Sequence, residues 1–188
     1  MVKFIVVGYY TKGTGYEQEA KKLISSLERF NLPYDIQPID NLGTWQKNTH
    51  YKASFLRQML EKHKENLVYL DVDAIVQKYP VLFDDMTADL AVHVREKVEP
   101  LSGTLYLRNN EIIRLFIDDL IKANEEHPQD HDERIFGSVL ERWEGRLNIF
   151  YLPANYTQIF DLMGGAGEPV IEHFQASRKL KEKVNVNI

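Results

Sequence analysis

The sequence predicts an α/β fold, a single domain built on a mixed, mainly parallel sheet flanked by helices. Three observations predict it. The chain has 188 residues, the length of one ordinary domain and enough to bury a sizeable core. Its first half alternates β-branched apolar runs with stretches of helical periodicity, the pattern of βαβ units and a parallel sheet. No internal repeat, low-complexity segment or linker-like stretch divides residues 1–188, and the second half only mixes strands less regularly.

Taken in order, Phe4 to Gly8 is an apolar run without alternation, as expected of a strand covered on both faces. Thr14 and Glu17 have capping-box spacing, and Ala20, Leu23, Ile24, Leu27 and Phe30 recur at helical intervals until Asn31 and Pro33 stop the pattern. Tyr34 to Ile39 forms a second short strand, and Asn41-Leu42-Gly43 a turn. Asn48 or Thr49 then caps a helix whose apolar stripe is Ala53, Leu56, Met59 and Leu60. Leu67 to Val76, LVYLDVDAIV, reads as a third strand with two acids set into it. Further strands are predicted at Leu90 to Val94, Thr104 to Leu107, Leu147 to Leu152 and Val170 to Phe174, with helices at about Glu111 to Asn124 and Glu133 to Trp143. Such a sheet places its ligand pocket at the carboxyl ends of the strands.

Composition narrows the function. With no cysteine there is no disulfide framework, thiolate metal site or cysteine nucleophile. Hydrophobic residues at 44% and charged residues at 27% suit a folded soluble domain. No apolar run approaches the ~20 residues of a spanning helix, and the N-terminal run is shorter than a signal-peptide core. Cytoplasm is therefore the expected location, with attachment to a membrane surface through a partner left open. A net charge of -5 argues against nucleic acid as a partner.

The acids of the third strand carry the chemistry. On a continuous strand Tyr69, Asp71 and Asp73 share one face, with the two carboxylates about 6.6 Å apart along the chain. In an apolar segment they repel each other and are poorly solvated, so a cation is the economical partner. Oxygen ligands suit Mg²⁺ or Mn²⁺, which commonly bridge carboxylates to phosphate oxygens. The plain alternative is a pair of solvated or ion-paired acids at a strand end.

The string LVYLDVDAIV, followed by SGTLYLRNN, DHDERIFGSVL, LPANY and VIEHFQASRK, resembles the nucleotide-sugar glycosyltransferases of the GT-A fold, in the right order and over most of the chain. That resemblance implies the Rossmann-like form of the α/β sandwich and a DxD motif that binds the metal-diphosphate of a nucleoside-diphosphate sugar. It makes Asp73 the direct metal ligand, Asp71 a contact to the ribose or the metal shell, and His173 the third protein ligand. Manganese or magnesium is then the cofactor. Arg178 and Lys179, with Ser177 beside them, become contacts to the diphosphate; read plainly, they belong to a solvated basic tail that continues to Lys181 and Lys183.

By the same resemblance, Gly8, Tyr9, Tyr10 and Thr11 end the first strand where the nucleobase and ribose bind, and a tyrosine ring there can stack on a base. Lys52, with Lys47 behind it, reaches the donor. Ser102 and Gly103 lie beside the donor sugar, where a glycine permits close approach. Asp132, and after it Glu133, stands at a helix start facing the acceptor hydroxyl; an inverting enzyme would use this acid as base, while a retaining one would use it for positioning. The same acids could simply complement the helix dipole. The loop Gly164-Gly165-Ala166-Gly167 lacks the lysine-serine pair of a P-loop and reads as a lid or turn. The resemblance implies a UDP-sugar as the favoured donor and a glycan or other hydroxyl acceptor. The chain is short on the acceptor side, so an oligomer or partner completing that site is expected. Two competing readings remain: a haloacid-dehalogenase-like phosphohydrolase using Asp71 and Asp73, and a non-catalytic nucleotide-sugar-binding module.

Overall fold

The structure, a computed structural model, describes residues 3–184. Strand β1 (Phe4–Thr11) runs into helix α1 (Tyr16–Arg29), β2 (Tyr34–Ile39), α2 (Trp45–Lys62) and β3 (Asn66–Leu70). Then follow β4 (Ala74–Val76), the hairpin β5 (Leu90–Arg95) and β6 (Glu99–Leu107), α3 (Glu111–Glu126), α4 (Asp132–Arg142), β7 (Ile149–Tyr151), β8 (Gln158–Ile159), β9 (Ile171–His173) and α5 (Ser177–Val184).

The main sheet has the order β2-β1-β3-β6-β5-β7. β1 pairs in parallel with β2 and β3, and β5 with β7, while β6 is antiparallel to both β3 and β5. The sheet is thus mixed, with parallel pairs in the majority. The antiparallel pairing of β5 and β6 follows from the short link between them: three residues cannot make the crossover a parallel pair needs. Glu96 and Lys97 turn that hairpin with φ of 52° and 63°, the left-handed pair of a tight hairpin turn.

Alternation along the strands divides the core into two layers. Val7, Leu67, Tyr69, Leu105 and Leu107 face α2, α3 and α4, where Phe55, Leu56, Phe116 and Phe136 pack on them. Phe4, Val6, Val68, Leu70 and Tyr106 face the other way onto α1, the 3-10 turn at Val81–Phe83 and the small sheet. Burial on both faces explains why β1 and β3 read as unbroken apolar runs.

The predicted strand Leu67 to Val76 is two strands. After Leu70 the Asp71 amide still donates to the Gly103 carbonyl at 2.9 Å, but the Ala74 amide then closes a turn onto the Asp71 carbonyl. β4 leaves the main sheet and joins β9 and β8 in a separate three-stranded sheet, ordered β4-β9-β8. Asp71 and Asp73 therefore lie on a turn between two sheets, and the shared strand face expected for them does not exist. Both helix caps also differ from expectation. α2 begins at Thr44, whose hydroxyl accepts from the Lys47 amide, so Asn48 and Thr49 are inside the helix. At α1 the Glu17 carboxylate reaches past Thr14 to accept from the Gly13 amide, and Gly15 is the cap residue.

Candidate active site

A cleft of about 240 Å³ opens at the carboxyl ends of β1 and β3. β1 brings Tyr9, Tyr10 and Thr11 to it, α2 brings Lys52, the turn after β3 brings Asp71 and Asp73, and the start of α4 brings Asp132 and Glu133. Ser177 at the start of α5 lies on its rim. Residues far apart in sequence meet here because β1 and β3 are adjacent and parallel, so their carboxyl ends coincide.

Lys52 is the centre of charge. It is 8% exposed, with its ammonium 3.4 Å from Asp71 Oδ1 and 3.3 Å from Asp132 Oδ2. It donates to Ser102 Oγ at 2.9 Å and lies 5.2 Å from the centre of the Tyr69 ring. Burial alone would lower its affinity for the proton; the opposing charges of Asp71, Asp132 and Glu133 outweigh burial and hold it above its ordinary value. Burial, together with the Asp132 charge, pushes the Glu133 carboxyl up, and Lys52 only partly offsets this. Tyr9 and Tyr69 are pushed well up by burial and by Asp71. The Tyr69 hydroxyl, so kept protonated, donates to Asp71 Oδ1 at 2.6 Å.

Asp73 is clasped from the other side. Its Oδ2 accepts from the Ala176 amide at 2.8 Å, its Oδ1 lies 3.6 Å from His173 Nδ1, and its carbonyl accepts from the Phe174 amide. Burial would raise this carboxyl, yet His173 and the Ala176 amide bring it below the ordinary range. His173 is 3% exposed, and its Nε2 lies 2.8 Å from Thr104 Oγ1, which fixes the ring with Nδ1 turned toward the acids. Between these groups stands Gly103. A Cβ there would lie 3.1 Å from Asp71 Oδ2 and 3.3 Å from His173 Nδ1. The Asp71 carboxylate and the His173 imidazole thus meet at the space a side chain at 103 would fill, with Asp73 on the same ring nitrogen, and carboxylates with an imidazole are of the kind Mg²⁺ or Mn²⁺ takes. As the side chains stand, no group of three or more His, Cys, Asp or Glu among the described residues is drawn together enough to hold a metal ion. The donors suit a divalent cation in kind, and coordination requires the carboxylates to turn inward.

The other expected residues fall into place differently. Gly8 does not line the cleft: a Cβ there would stand 2.7 Å from the Leu70 carbonyl oxygen, so its role visible here is close packing of β1 on β3. Ser102 is buried behind Lys52, and Gly103 is half-buried between Asp71 and His173. Arg178 is ion-paired with Asp161, and neither it nor Lys179 lines the cleft. The side chains of Lys181 and Lys183 lie outside those described.

Two lining residues escaped the sequence reading. Tyr16, at the first turn of α1, is held protonated up to about 12 by burial and by Asp73 and Asp71. Gln175 carries a φ of 52° and turns the chain so that the amides on either side of it reach Asp73. Glutamine does not announce a left-handed position, so no sequence signal marked it. Trp45 and His131, whose rings meet edge to face at 5.7 Å, form the wall between α2 and α4.

No protein-family model and no curated protein sequence matches the chain. Solved structures do. A glycosyltransferase involved in glycosylation of the major capsid of PBCV-1 superposes with a TM-score of 0.70 over 100% of both chains, at 13% identity. Mouse xyloside xylosyltransferase 1 gives 0.58 at 11% identity, over 94% of this chain and 99% of that one. The galactosyltransferase LgtC, in complex with donor and acceptor sugar analogues, gives 0.54 at 10% identity, over 91% and 87%. At these identities the likeness is one of fold, and the fold of this chain is the GT-A-type fold of those glycosyltransferases.

Proposed function

We propose that the protein transfers a sugar from a nucleoside-diphosphate sugar, a UDP-sugar by preference, to a hydroxyl acceptor, with Asp71, Asp73 and His173 holding Mn²⁺ or Mg²⁺. One observation carries this reading: on a fold shared with glycosyltransferases, a single cleft gathers the Asp71-Asp73 turn, a buried lysine and the two acids that open α4. A divalent cation in that place would stabilise the negative charge that develops on a leaving diphosphate.

The chain's own residues do the rest. Lys52 fixes Asp71 relative to Asp132, so the donor side and the acceptor side of the cleft keep one geometry. It also offers a buried positive charge to the departing phosphate. Tyr69 orients Asp71, and Thr104 orients His173. Tyr10 supplies a ring and Thr11 a hydroxyl suited to a nucleobase and ribose, while the Tyr9 ring packs on Tyr51, Phe55 and Tyr69 and its hydroxyl donates to the Asn48 carbonyl. Of the acids at α4, Asp132 is tied to Lys52, while the Glu133 carboxyl is pushed up by burial and stands open to take a proton. In an inverting reaction Glu133 takes the acceptor proton; in a retaining one the pair positions the sugars. The phosphohydrolase reading loses support, because Asp71 follows the third strand of a GT-A-type sheet.

The test is thermal stability with UDP, GDP, CDP and ADP, each with and without Mn²⁺, on the wild type, Asp73→Ala and His173→Ala. A ligand at a hundred times its Kd stabilises by ~2.7 kcal/mol, or roughly 5 to 11 °C for a chain of this size. The expected result is a metal-dependent shift with one nucleotide, absent in both variants. No shift with any of the four would overturn the reading, and a shift without turnover on any acceptor would mark a binding module.

A further inference from the structure

The cleft continues past the start of α4. His131 and Glu133 line it on one side and, on the other, line a second groove of about 880 Å³ between α4 and the β5–β6 hairpin. That volume lies in the ~300–1,000 Å³ range of small-ligand sites. Gly137 lets α4 approach the hairpin: a Cβ there would already stand 3.3 Å from Pro100 Cγ. The far wall is β7, an edge strand, whose Tyr151 is 58% exposed along the groove.

The chemistry of the walls selects an occupant. Glu99 is ion-paired with Arg95, while Glu133, Glu141 and Glu144 share the groove with Lys97 and Arg134, and Arg134 is already 3.5 Å from Asp130. An excess of acid repels phosphates, carboxylates and nucleic acid. Carboxylates accept hydrogen bonds from sugar hydroxyls, and an exposed tyrosine ring flanked by Val94, Val98 and Ile149 offers the apolar surface on which a pyranose face stacks. We infer that this groove is the acceptor subsite and takes a neutral oligosaccharide, with Tyr151 as its stacking platform and Glu133 at the junction where the accepting hydroxyl meets the donor. The inference rests on the glycosyl-transfer reading.

Binding can be read without turnover, by saturation-transfer NMR with UDP and Mg²⁺ present. The probes are cellobiose, maltose, lactose, chitobiose and mannobiose, with 3′-sialyllactose as the anionic control. Ser138→Trp fills the groove from α4, and Tyr151→Ala removes the platform; thermal midpoints report whether each variant is folded. The expected result is that at least one neutral disaccharide binds, that its Kd weakens about tenfold in Tyr151→Ala, that it is lost in Ser138→Trp, and that the UDP signal persists in both. No binding by any neutral disaccharide, unchanged binding in both variants, or preference for the anionic control overturns the inference. If nucleotide binds while sugars ignore the groove variants, the subsite falls and glycosyl transfer stands. If sugars follow the groove variants while no nucleotide binds, the subsite stands as a carbohydrate site and the transfer reading falls.

Discussion

Lys52 shows how much one buried cation can organise. Two carboxylates within 3.4 Å of its ammonium, from the β3 turn and from α4, are held apart from each other and together across the cleft. Replacing it by methionine keeps the volume and removes the charge, leaving Asp71 and Asp132 uncompensated. Removing one partner of a buried pair costs about 3 kcal/mol, so Lys52→Met should melt roughly 6 to 12 °C lower, as read by calorimetry at neutral pH. Glu133 behaves in the opposite sense. Its folded carboxyl is pushed above the unfolded value, so the folded state binds more protons between the two values and loses stability as pH rises through that window. Glu133→Gln removes that cost. Because Glu133 is in part open to solvent the gain is small, ~1 to 2 °C at pH 7, and it should vanish once the pH falls below the unfolded value, as a series of melts against pH will show.

At the level of elements, the sheet is set by close approaches as much as by apolar runs. β1 and β3 meet at Gly8 and Leu70 with no room for a methyl group. Gly8→Ala should therefore force the strands apart and destabilise by ~1 to 3 kcal/mol, as overpacking does, with the loss seen in the denaturant midpoint. The apolar runs, the periodic faces of α1 and α2 and the positions of α3 and α4 were legible in the sequence, because burial on one helix face or both strand faces leaves a period that local reading detects. The division of LVYLDVDAIV was not. Nothing in ten residues of β-forming sequence reveals that the last three pair with Ile171–His173, a contact nearly a hundred positions away. The cap of α2 was misplaced for a related reason: Asn48 looks like a cap, yet its side chain is spent on Asn41, Leu42 and the Thr44 carbonyl.

For the whole molecule, the two core layers share every central strand, so neither can form alone. We expect unfolding in guanidinium, followed by near-UV and far-UV circular dichroism, to give coincident transitions; separated transitions would mean that residues 1–188 are not one cooperative domain. The sequence by itself determined the fold class, the identity of the acids, the lysine and the histidine worth placing, and their order along the chain, since hydrophobic period and side-chain chemistry are local properties. Only the tertiary structure decided which of them meet. It put Asp71 and Asp73 on a turn, set Gly8 between strands, turned Arg178 to Asp161, and joined the cleft to the groove beside Tyr151, because strand order and the direction of a buried side chain depend on contacts between residues that the chain holds far apart.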